Sequence, residues 1–480
     1  MKRFALLLLL ALFAGSAQAG NGHEIKVKLT NYEAKTLVLG FYYGDKPYVK
    51  DTFDLGPDGY FTFKADTLLP AGVYLLVLQP KNDFIQFAVP ANDQQFTLTT
   101  DAANTVDKMK VEGSDDNKLF YEYMRYLSAA RPEADTLRKQ MEQLKSSPKD
   151  SVRIAGLLDG LDKKVKKYQG DLVKKYPATI TARIVKASIE PEIPEVPGDE
   201  KRAFAVKREW LRAHYFDNVD ISDPVMLRTP VLHPRIESFV QKFTVQHPDS
   251  INASIDQLIK QMEPNQELYK FYLIWFLNHY AKSNIVGMDG VYVHIGESYY
   301  CNGKVNWTKK EDQEKICDNV ARLKPILIGK IAPNIAVKDF TSGAPSPLWD
   351  VDADYTVLFF WDPECGHCKK AAPFMVEFSK KFKDRGVKVF AVCTATGDKA
   401  GDCGKSIEEK GFNNGLFINT YDPYLQSRFK QLYDVRVTPQ IFILDRKHEI
   451  LMKRIGAEQL NEVMEQVIKF QEDKKKQSNK

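Results

Sequence analysis

Residues 355–370 read YTVLFFWDPECGHCKK, and this stretch decides how the C-terminal part of the chain folds. Its first seven residues, 355–361, are almost all apolar, which is typical of a strand buried on both faces of a sheet. Two cysteines follow directly, separated by Gly366 and His367, at the place where a helical pattern begins. The sequence therefore predicts a buried strand, a pair of cysteines and a helix in immediate succession.

The spacing of Cys365 and Cys368 favours redox chemistry. A cysteine at a helix N-terminus experiences the positive end of the helix dipole, which stabilises its thiolate and lowers its pKa. The alternative for this spacing is half of a zinc site, which would need two more ligands, and Cys393 and Cys403 lack the usual paired spacing. We therefore predict that Cys365 is the nucleophile and Cys368 the resolving thiol, with no metal and no cofactor.

The pattern around this motif alternates between strands and helices. We expect helices at 366–383, 403–411, 424–433 and 457–472, and strands at 355–361, 387–393, 416–419, 440–445 and 449–454. Such alternation predicts an α/β domain. Within it, Val437, Thr438 and Pro439 directly precede the apolar strand at 440–445. A proline at the start of a strand is compatible with an ordinary turn.

Together, these motifs resemble the periplasmic TlpA/ResA type of thioredoxin-like thiol–disulfide oxidoreductase, over residues 331–475. The resemblance rests on the stretch around the cysteines, on Pro373 in the following helix, and on Thr438-Pro439. It implies a cis peptide bond before Pro439, and a substrate site at Trp361, Thr438 and Pro439. The whole chain also resembles the multidomain members common in Bacteroides-type bacteria, in which an N-terminal β-domain of unknown function and a helical middle precede this domain.

Two departures from the family pattern affect proton transfer and the reduction potential: Phe359, and the Gly366-His367 pair between the cysteines. Phe359 occupies the position at which thioredoxin has a buried acid, so we consider Glu364 first, and Asp362 second, as proton-transfer groups. Glu364, Gly366 and His367 are the predicted tuning residues. A cationic imidazole at His367 would favour the thiolate. Because thioredoxin and protein disulfide isomerase differ by about 90 mV, the direction of the reaction stays open.

The rest of the chain predicts a multidomain α+β protein. Short strands separated by turn signals predict a β-sandwich-like domain at 20–112. Helical spacing of apolar residues then predicts a helical domain at 113–330, and residues 476–480 form a polar tail.

The first nineteen residues have the features of a signal peptide. Lys2 and Arg3 precede a short apolar run, and Ala17-Gln18-Ala19 matches a cleavage site, which we place after Ala19. The apolar run is too short to span a bilayer. Combined with the resemblance, this predicts an exported, periplasmic protein with no membrane span. The net charge of only +5 over 480 residues argues against nucleic-acid binding.

The four cysteines outside the motif have more than one possible role. Cys301 and Cys317 lie sixteen positions apart, and we predict a structural disulfide between them in an oxidising compartment. Cys393 and Cys403 are compatible with a bridge, with a second redox pair, or with a buried thiol at Cys393.

We predict an enzyme that exchanges disulfides with exported proteins or with redox partners, and a membrane electron-transfer thiol protein as its electron donor. One alternative is a non-enzymatic module of the cell envelope, because residues 20–330 contain no visible chemistry. A peroxiredoxin-type peroxidase is the other alternative. It would need Thr or Ser three residues before the cysteine and a proline four residues further upstream, where this chain has Asp362 and Leu358.

Overall fold

The computed structural model of the protein describes residues 22–143 and 148–478. The predicted signal peptide, residues 1–19, lies outside the described residues. The chain forms two compact units: the first runs to Thr244 and includes Lys260–Tyr269, and the second comprises Val245–Ile259 and Lys270 onward. The predicted helical segment, 113–330, is thus divided between them, and the predicted domain bounds stay predictions.

The first unit begins with two four-stranded sheets whose apolar faces share one core. One sheet has the strand order β4-β1-β7-β8, and the other has the order β3-β2-β5-β6. Their strands are β1 (His23–Thr30), β2 (Thr36–Tyr43), β3 (Lys46–Asp54), β4 (Phe61–Ala65), β5 (Gly72–Leu78), β6 (Asp83–Val89), β7 (Gln95–Asp101) and β8 (Lys110–Glu112). Alternating residues such as Ile25, Val27 and Phe87 fill the core, which is the arrangement of a β-sandwich.

The helices that follow the sandwich are joined to it by buried polar contacts. They are α1 (Asp115–Gln143), α2 (Pro148–Lys175), α3 (Ile180–Ser188), α4 (Glu200–Ala213) and α5 (Leu232–Ser238). The buried side chain of Asn117 accepts from the N–H of Ala88 at 2.8 Å and donates to its carbonyl at 2.7 Å. The carboxylate of Asp116 accepts hydrogen bonds from the N–H groups of Ile180 and Thr181 at the start of α3. These bonds satisfy polar groups that burial would otherwise leave unpaired.

The helical segment continues with α6 (Pro248–Met262), α7 (Gln266–Ala281), α8 (Asp289–Ile295) and α9 (Lys310–Leu323). Within the second unit, one buried ion pair joins this segment to the C-terminal sheet. Lys453, which is 1% exposed, donates to the Asp289 carboxylate and to the Ile326 carbonyl. A buried ammonium group needs such partners because desolvation destabilises an unpaired charge.

The second unit contains a seven-stranded mixed sheet in the order β10-β9-β13-β12-β11-β14-β15. Its strands are β9 (Ala336–Asp339), β10 (Pro345–Pro347), β11 (Tyr355–Trp361), β12 (Val387–Cys393), β13 (Phe417–Tyr421), β14 (Gln440–Asp445) and β15 (Ile450–Lys453). Its helices are α10 (Gly366–Phe382), α11 (Asp402–Glu409), α12 (Phe429–Leu432) and α13 (Leu460–Ser478). Together with the sandwich and the helices, this sheet confirms the predicted multidomain α+β fold.

Strand β11 lies at the centre of this sheet, parallel to β12 and antiparallel to β14. Its side chains alternate between the two faces. Phe359 and Trp361 enter one apolar cluster, and Leu358 and Phe360 enter the other. Burial on both faces explains the continuous apolar run in the sequence, and it holds the end of β11 firmly where α10 begins.

Two predicted elements differ from the structure. The helix expected at 424–433 covers only α12, because Leu425 and Arg428 adopt positive φ angles of 53° and 56°. The carboxylate of Asp422 accepts hydrogen bonds from the N–H groups of residues 426 and 427 and stabilises this turn. At the C-terminus α13 runs to Ser478, so the described part of the predicted polar tail is helical.

Candidate active site

Cys365 is the N-cap residue of α10, directly after the buried strand β11. Its Sγ accepts a hydrogen bond from the backbone N–H of Cys368 at 3.3 Å. The sulfur therefore satisfies one of the N–H groups that a helix leaves unpaired at its start. Cys365 is half-buried, so its sulfur remains accessible to a partner disulfide.

The surroundings of Cys365 favour its thiolate. Burial alone would raise the pKa of the thiol, but hydrogen bonds with the Thr438 side chain, with Cys368 and with the N–H of His367 outweigh burial. The net pKa of Cys365 lies below its ordinary value. Since the thiolate is the nucleophilic form of cysteine, this arrangement activates Cys365 for attack on a disulfide.

Cys368 has the opposite environment, although it lies only one helical turn away. It is 1% exposed, and burial raises the pKa of its thiol to about 12. The backbone N–H of Asp362 donates to its Sγ at 3.5 Å. Burial therefore favours the thiol form of Cys368 over its thiolate.

The loop before β14 brings Thr438 and Pro439 beside Cys365. The Thr438–Pro439 peptide bond is cis, in agreement with the expectation from the family resemblance. The Cys365 thiol donates to the Thr438 carbonyl oxygen at 3.2 Å. The preceding residue, Val437, is 74% exposed, so the loop presents accessible backbone and an apolar side chain next to the nucleophile.

The three predicted tuning residues lie at the surface around Cys365. The Glu364 carboxylate forms an ion pair with Lys399 at 2.8 Å, and the hydrogen bond from Lys399 lowers the pKa of Glu364. Gly366 is the first residue of α10, where an added Cβ would meet no atom within 4 Å. His367 is exposed. The proton-transfer role of Glu364 stays a prediction, but a solvated ion pair is a poor environment for a proton acceptor.

Trp361 requires a correction to the predicted substrate site. Its side chain is 1% exposed and packs against the Phe412 ring, with the ring centroids 5.4 Å apart. A buried indole offers no surface to a protein substrate. The ring belongs to the same apolar cluster as Cys368, and its centroid lies 5.3 Å from the ammonium group of Lys410.

The remaining four cysteines form two disulfides. Cys301 is bonded to Cys317, and Cys393 is bonded to Cys403. In the second pair the exposed fractions are 1% for Cys393 and 0% for Cys403, so neither sulfur is accessible. Cys365 and Cys368 are the free cysteines among residues 22–143 and 148–478.

Sequence reasoning missed two lysines that the fold brings to the site, Lys399 and Lys410. Both lie in the segment between β12 and β13, far from the cysteines in sequence. Lys399 contacts Glu364, and Lys410 lies over Trp361. No sequence signal identified these lysines, because the Cys393–Cys403 bridge that ties the segment to β12 is visible only in the fold.

Within the described part of the chain, no group of three or more His, Cys, Asp or Glu side chains is arranged to hold a metal ion. The helices of that same part include none with the length and apolar character needed to cross a membrane.

Comparison with known families divides the chain into three parts. The AhpC/TSA family matches residues 328–452, which contain the two free cysteines. Residues 23–120 match a domain of unknown function, DUF4369, and residues 159–324 match another, DUF5106.

Individual relatives and solved structures match part of the chain. The chain is 30% identical over 144 residues to the thiol-disulfide oxidoreductase ResA of Bacillus cereus, covering 29% of this chain and 75% of that protein. It is 36% identical to a domain of a possible thiol-disulfide isomerase from Cytophaga hutchinsonii, covering 31% of this chain and 97% of that one, with a TM-score of 0.28. A thioredoxin-like protein from Bacteroides caccae is 20% identical and covers 57% of this chain and 96% of its own, with a TM-score of 0.41.

Proposed function

Because the chain belongs to the family of the ResA thiol–disulfide oxidoreductases, we propose that it exchanges disulfides with exported proteins in the periplasm through Cys365 and Cys368. The membership confirms the predicted resemblance and the predicted enzyme class, and it implies partners that contain disulfides. The observation that carries the proposal is the contrast within one helical turn. An accessible thiol with a lowered pKa lies next to a buried thiol with a raised pKa.

The first step uses the activated thiol. The Cys365 thiolate attacks one sulfur of a substrate disulfide, forms a mixed disulfide and releases the other substrate sulfur as a thiolate. The Cys365 Sγ accepts a hydrogen bond from the Cys368 N–H at the start of α10, and this bond orients the sulfur before attack. The half-buried position of Cys365 at the end of a rigid strand limits access to disulfides that protrude from their protein.

The second step uses the buried thiol. Cys368 loses its proton and attacks Cys365 Sγ, the bond between Cys365 and the substrate breaks, and the second substrate sulfur leaves as a thiolate. The enzyme dithiol becomes a disulfide as it loses two electrons, and the substrate disulfide becomes a dithiol as it gains them. The reverse sequence of steps oxidises a substrate dithiol, so the reduction potentials of the two couples decide the direction.

Substrate binding involves the loop at Thr438 and Pro439. The Thr438 carbonyl lies 3.2 Å from Cys365 Sγ, and a cysteine-containing segment in extended conformation would pair with this backbone. The exposed side chain of Val437 offers an apolar contact beside it. These contacts involve mainly backbone atoms, which favours several substrate sequences over one.

The proposed periplasmic location is supported by the N-terminal sequence and by the two disulfides of the second unit. The signal-peptide pattern at 1–19 supports export. Two disulfides outside the active site favour an oxidising compartment. In such a compartment a reductant must itself be re-reduced, and a membrane electron-transfer thiol protein is the proposed donor.

Insulin reduction by the full-length protein, with dithiothreitol as electron source, tests the proposal. We expect turnover by the unaltered protein, none by Cys365→Ser, and a trapped mixed disulfide with an insulin chain in Cys368→Ser, detected by mass spectrometry. Replacing Cys301 and Cys317 by Ala provides the control, because that pair lies outside the site. Turnover that persists in Cys365→Ser would contradict the proposal. Fractionation of cells that express the protein with and without residues 1–19 tests the location.

A further inference from the structure

Resolution of the mixed disulfide needs a group that stabilises charge at Cys368. Its sulfur is enclosed, with 1% of the residue exposed, so water contributes little to stabilising a thiolate there. On the face of the central strand that packs against Cys368, the last two side chains are the apolar Phe359 and Trp361. A thiolate in such an apolar setting forms slowly unless a positive charge lies nearby.

Lys410 is the cation that the fold places at this location. It is half-buried, and its ammonium group lies 5.3 Å from the centre of the Trp361 ring. The Trp361 side chain and Cys368 belong to one apolar cluster, so the ammonium group lies at the edge of the cluster that encloses the thiol. An aromatic face attracts a cation and holds a flexible lysine side chain in one place.

The segment that carries Lys410 is fixed to the sheet at several points. Its start is bonded to β12 by the Cys393–Cys403 disulfide, and Cys393 is the register partner of Trp361. The backbone N–H of Lys410 donates to the Ser406 carbonyl at 3.0 Å, at the end of α11. Two residues later, Phe412 packs edge-on against the Trp361 ring. The disulfide, the hydrogen bond and the ring contact together fix the position of Lys410 relative to the sheet.

The charged and titratable groups that face Lys410 come from three elements. They are Glu409 at the end of α11, Lys369 and Cys368 on α10, and Asp362 in the turn before α10. Burial lowers the pKa of Lys410, with Lys369 acting in the same direction, and Glu409, Cys368 and Asp362 oppose the change. A negative charge on Cys368 therefore stabilises the charged form of Lys410.

We propose that Lys410 is a positioning residue for the resolving step, in which its ammonium group stabilises the thiolate of Cys368 during attack on Cys365. The inference rests on the proposed function of the two cysteines. Cys368 gives its proton to solvent, forms the bond to Cys365 Sγ, and displaces the substrate thiolate. Lys410 forms no bond in this step and changes no oxidation state.

Reaction of the reduced full-length protein with 5,5′-dithiobis(2-nitrobenzoate) in a stopped-flow instrument separates the two steps. Attack by Cys365 releases the first nitrothiobenzoate, and attack by Cys368 releases the second. Both releases are followed by absorbance over a range of pH. Lys410→Met removes the charge and keeps the length, Lys410→Arg keeps the charge, and Lys405→Met is the matched control on the exposed face of α11, where the lysine side chain is 81% exposed.

We expect Lys410→Met to slow the second release about tenfold and to move its pH profile upward by about one pH unit. The first release stays within about twofold, because the pKa of Cys365 is lowered by other groups. Lys410→Arg and Lys405→Met stay near the unaltered protein. An unchanged second release in Lys410→Met, or an equal loss in Lys410→Arg, would overturn this inference alone. Absence of any second release in the unaltered protein would contradict the proposed function itself, and this inference with it.

Discussion

Two pairs of cysteines lie at the ends of neighbouring strands in the C-terminal sheet. Cys365 and Cys368 follow β11, whereas Cys393 ends β12 and is bonded to Cys403 at the start of α11. The strands are adjacent and parallel, and Trp361 pairs in register with Cys393. Proximity to a second cysteine is therefore common to both pairs and cannot explain why one of them is reactive.

The difference lies in exposure and in position relative to a helix. Cys365 is half-buried at the N-cap of α10 and has a lowered pKa. Cys393 and Cys403 are 1% and 0% exposed, so an attacking thiolate cannot reach either sulfur. Access and thiolate stabilisation therefore make a redox couple, whereas enclosure makes a structural bridge.

Removing the nucleophile is the strongest test of this difference. We expect Cys365→Ser to lower the rate of disulfide exchange by at least about a thousandfold, because the hydroxyl is a far weaker nucleophile than the thiolate. The rate is measured by insulin reduction with the full-length protein. A rate within tenfold of the unaltered protein would mean that another cysteine pair carries the exchange.

Removing the enclosed pair should affect stability instead of reactivity. Replacing both Cys393 and Cys403 by Ala should lower the free energy of unfolding of the second unit by about 2–3 kcal/mol, since the bridge closes a short loop. Calorimetry of the full-length protein measures this loss. Alkylation of Cys365 should stay within about twofold, and a larger change would show that the enclosed pair takes part in the chemistry.

The pH dependence of Cys365 alkylation tests whether Thr438 lowers the pKa of this cysteine. A lowered pKa means that the thiolate fraction, and hence the alkylation rate, rises with pH and levels off below the pH expected for an ordinary cysteine. Thr438→Val removes a hydrogen bond that lowers this pKa and keeps the branched shape. We expect alkylation by iodoacetamide near pH 7 to fall about threefold, with no difference at pH values well above both pKa values. An unchanged pH profile of alkylation in Thr438→Val would show that Thr438 does not lower the pKa of Cys365.

The smallest effect is expected at Glu364. Its carboxylate is 66% exposed and bound to Lys399, so Glu364→Gln should change the exchange rate by less than about twofold. The insulin assay again provides the measurement. A loss of tenfold or more would support the proton-transfer role that the sequence suggested for this residue.

The central strand and the site's main residues were predictable because their signals are local. The structure has the predicted bounds for strands β11 and β14 and for the start of α10. A continuous apolar run and a helix N-cap are each encoded by residues that are adjacent in the sequence. Strand β3 has no such local signal. It lies at a sheet edge, and its side chains are almost all exposed, so it lacks the alternation that marks a half-buried strand.

Contacts between distant segments could not be predicted in the same way. The position of Lys410 over Trp361 depends on how α11 returns to the sheet, and no spacing in the sequence encodes that return. The contacts of the Trp361 ring with Phe412 and Lys410 have the same origin, whereas its burial was already indicated by the apolar run at 355–361. The pairing of Cys393 with Cys403 also required the fold.

The most direct test of the account is the reduction potential of each cysteine pair, measured in glutathione or dithiothreitol buffers with thiol trapping and mass spectrometry. We expect Cys365 and Cys368 to be reduced together in one two-electron step, at a potential of roughly −270 to −180 mV, while the other four cysteines stay bonded. Reduction of Cys393 and Cys403 in the same buffers, or independent behaviour of Cys365 and Cys368, would contradict the account.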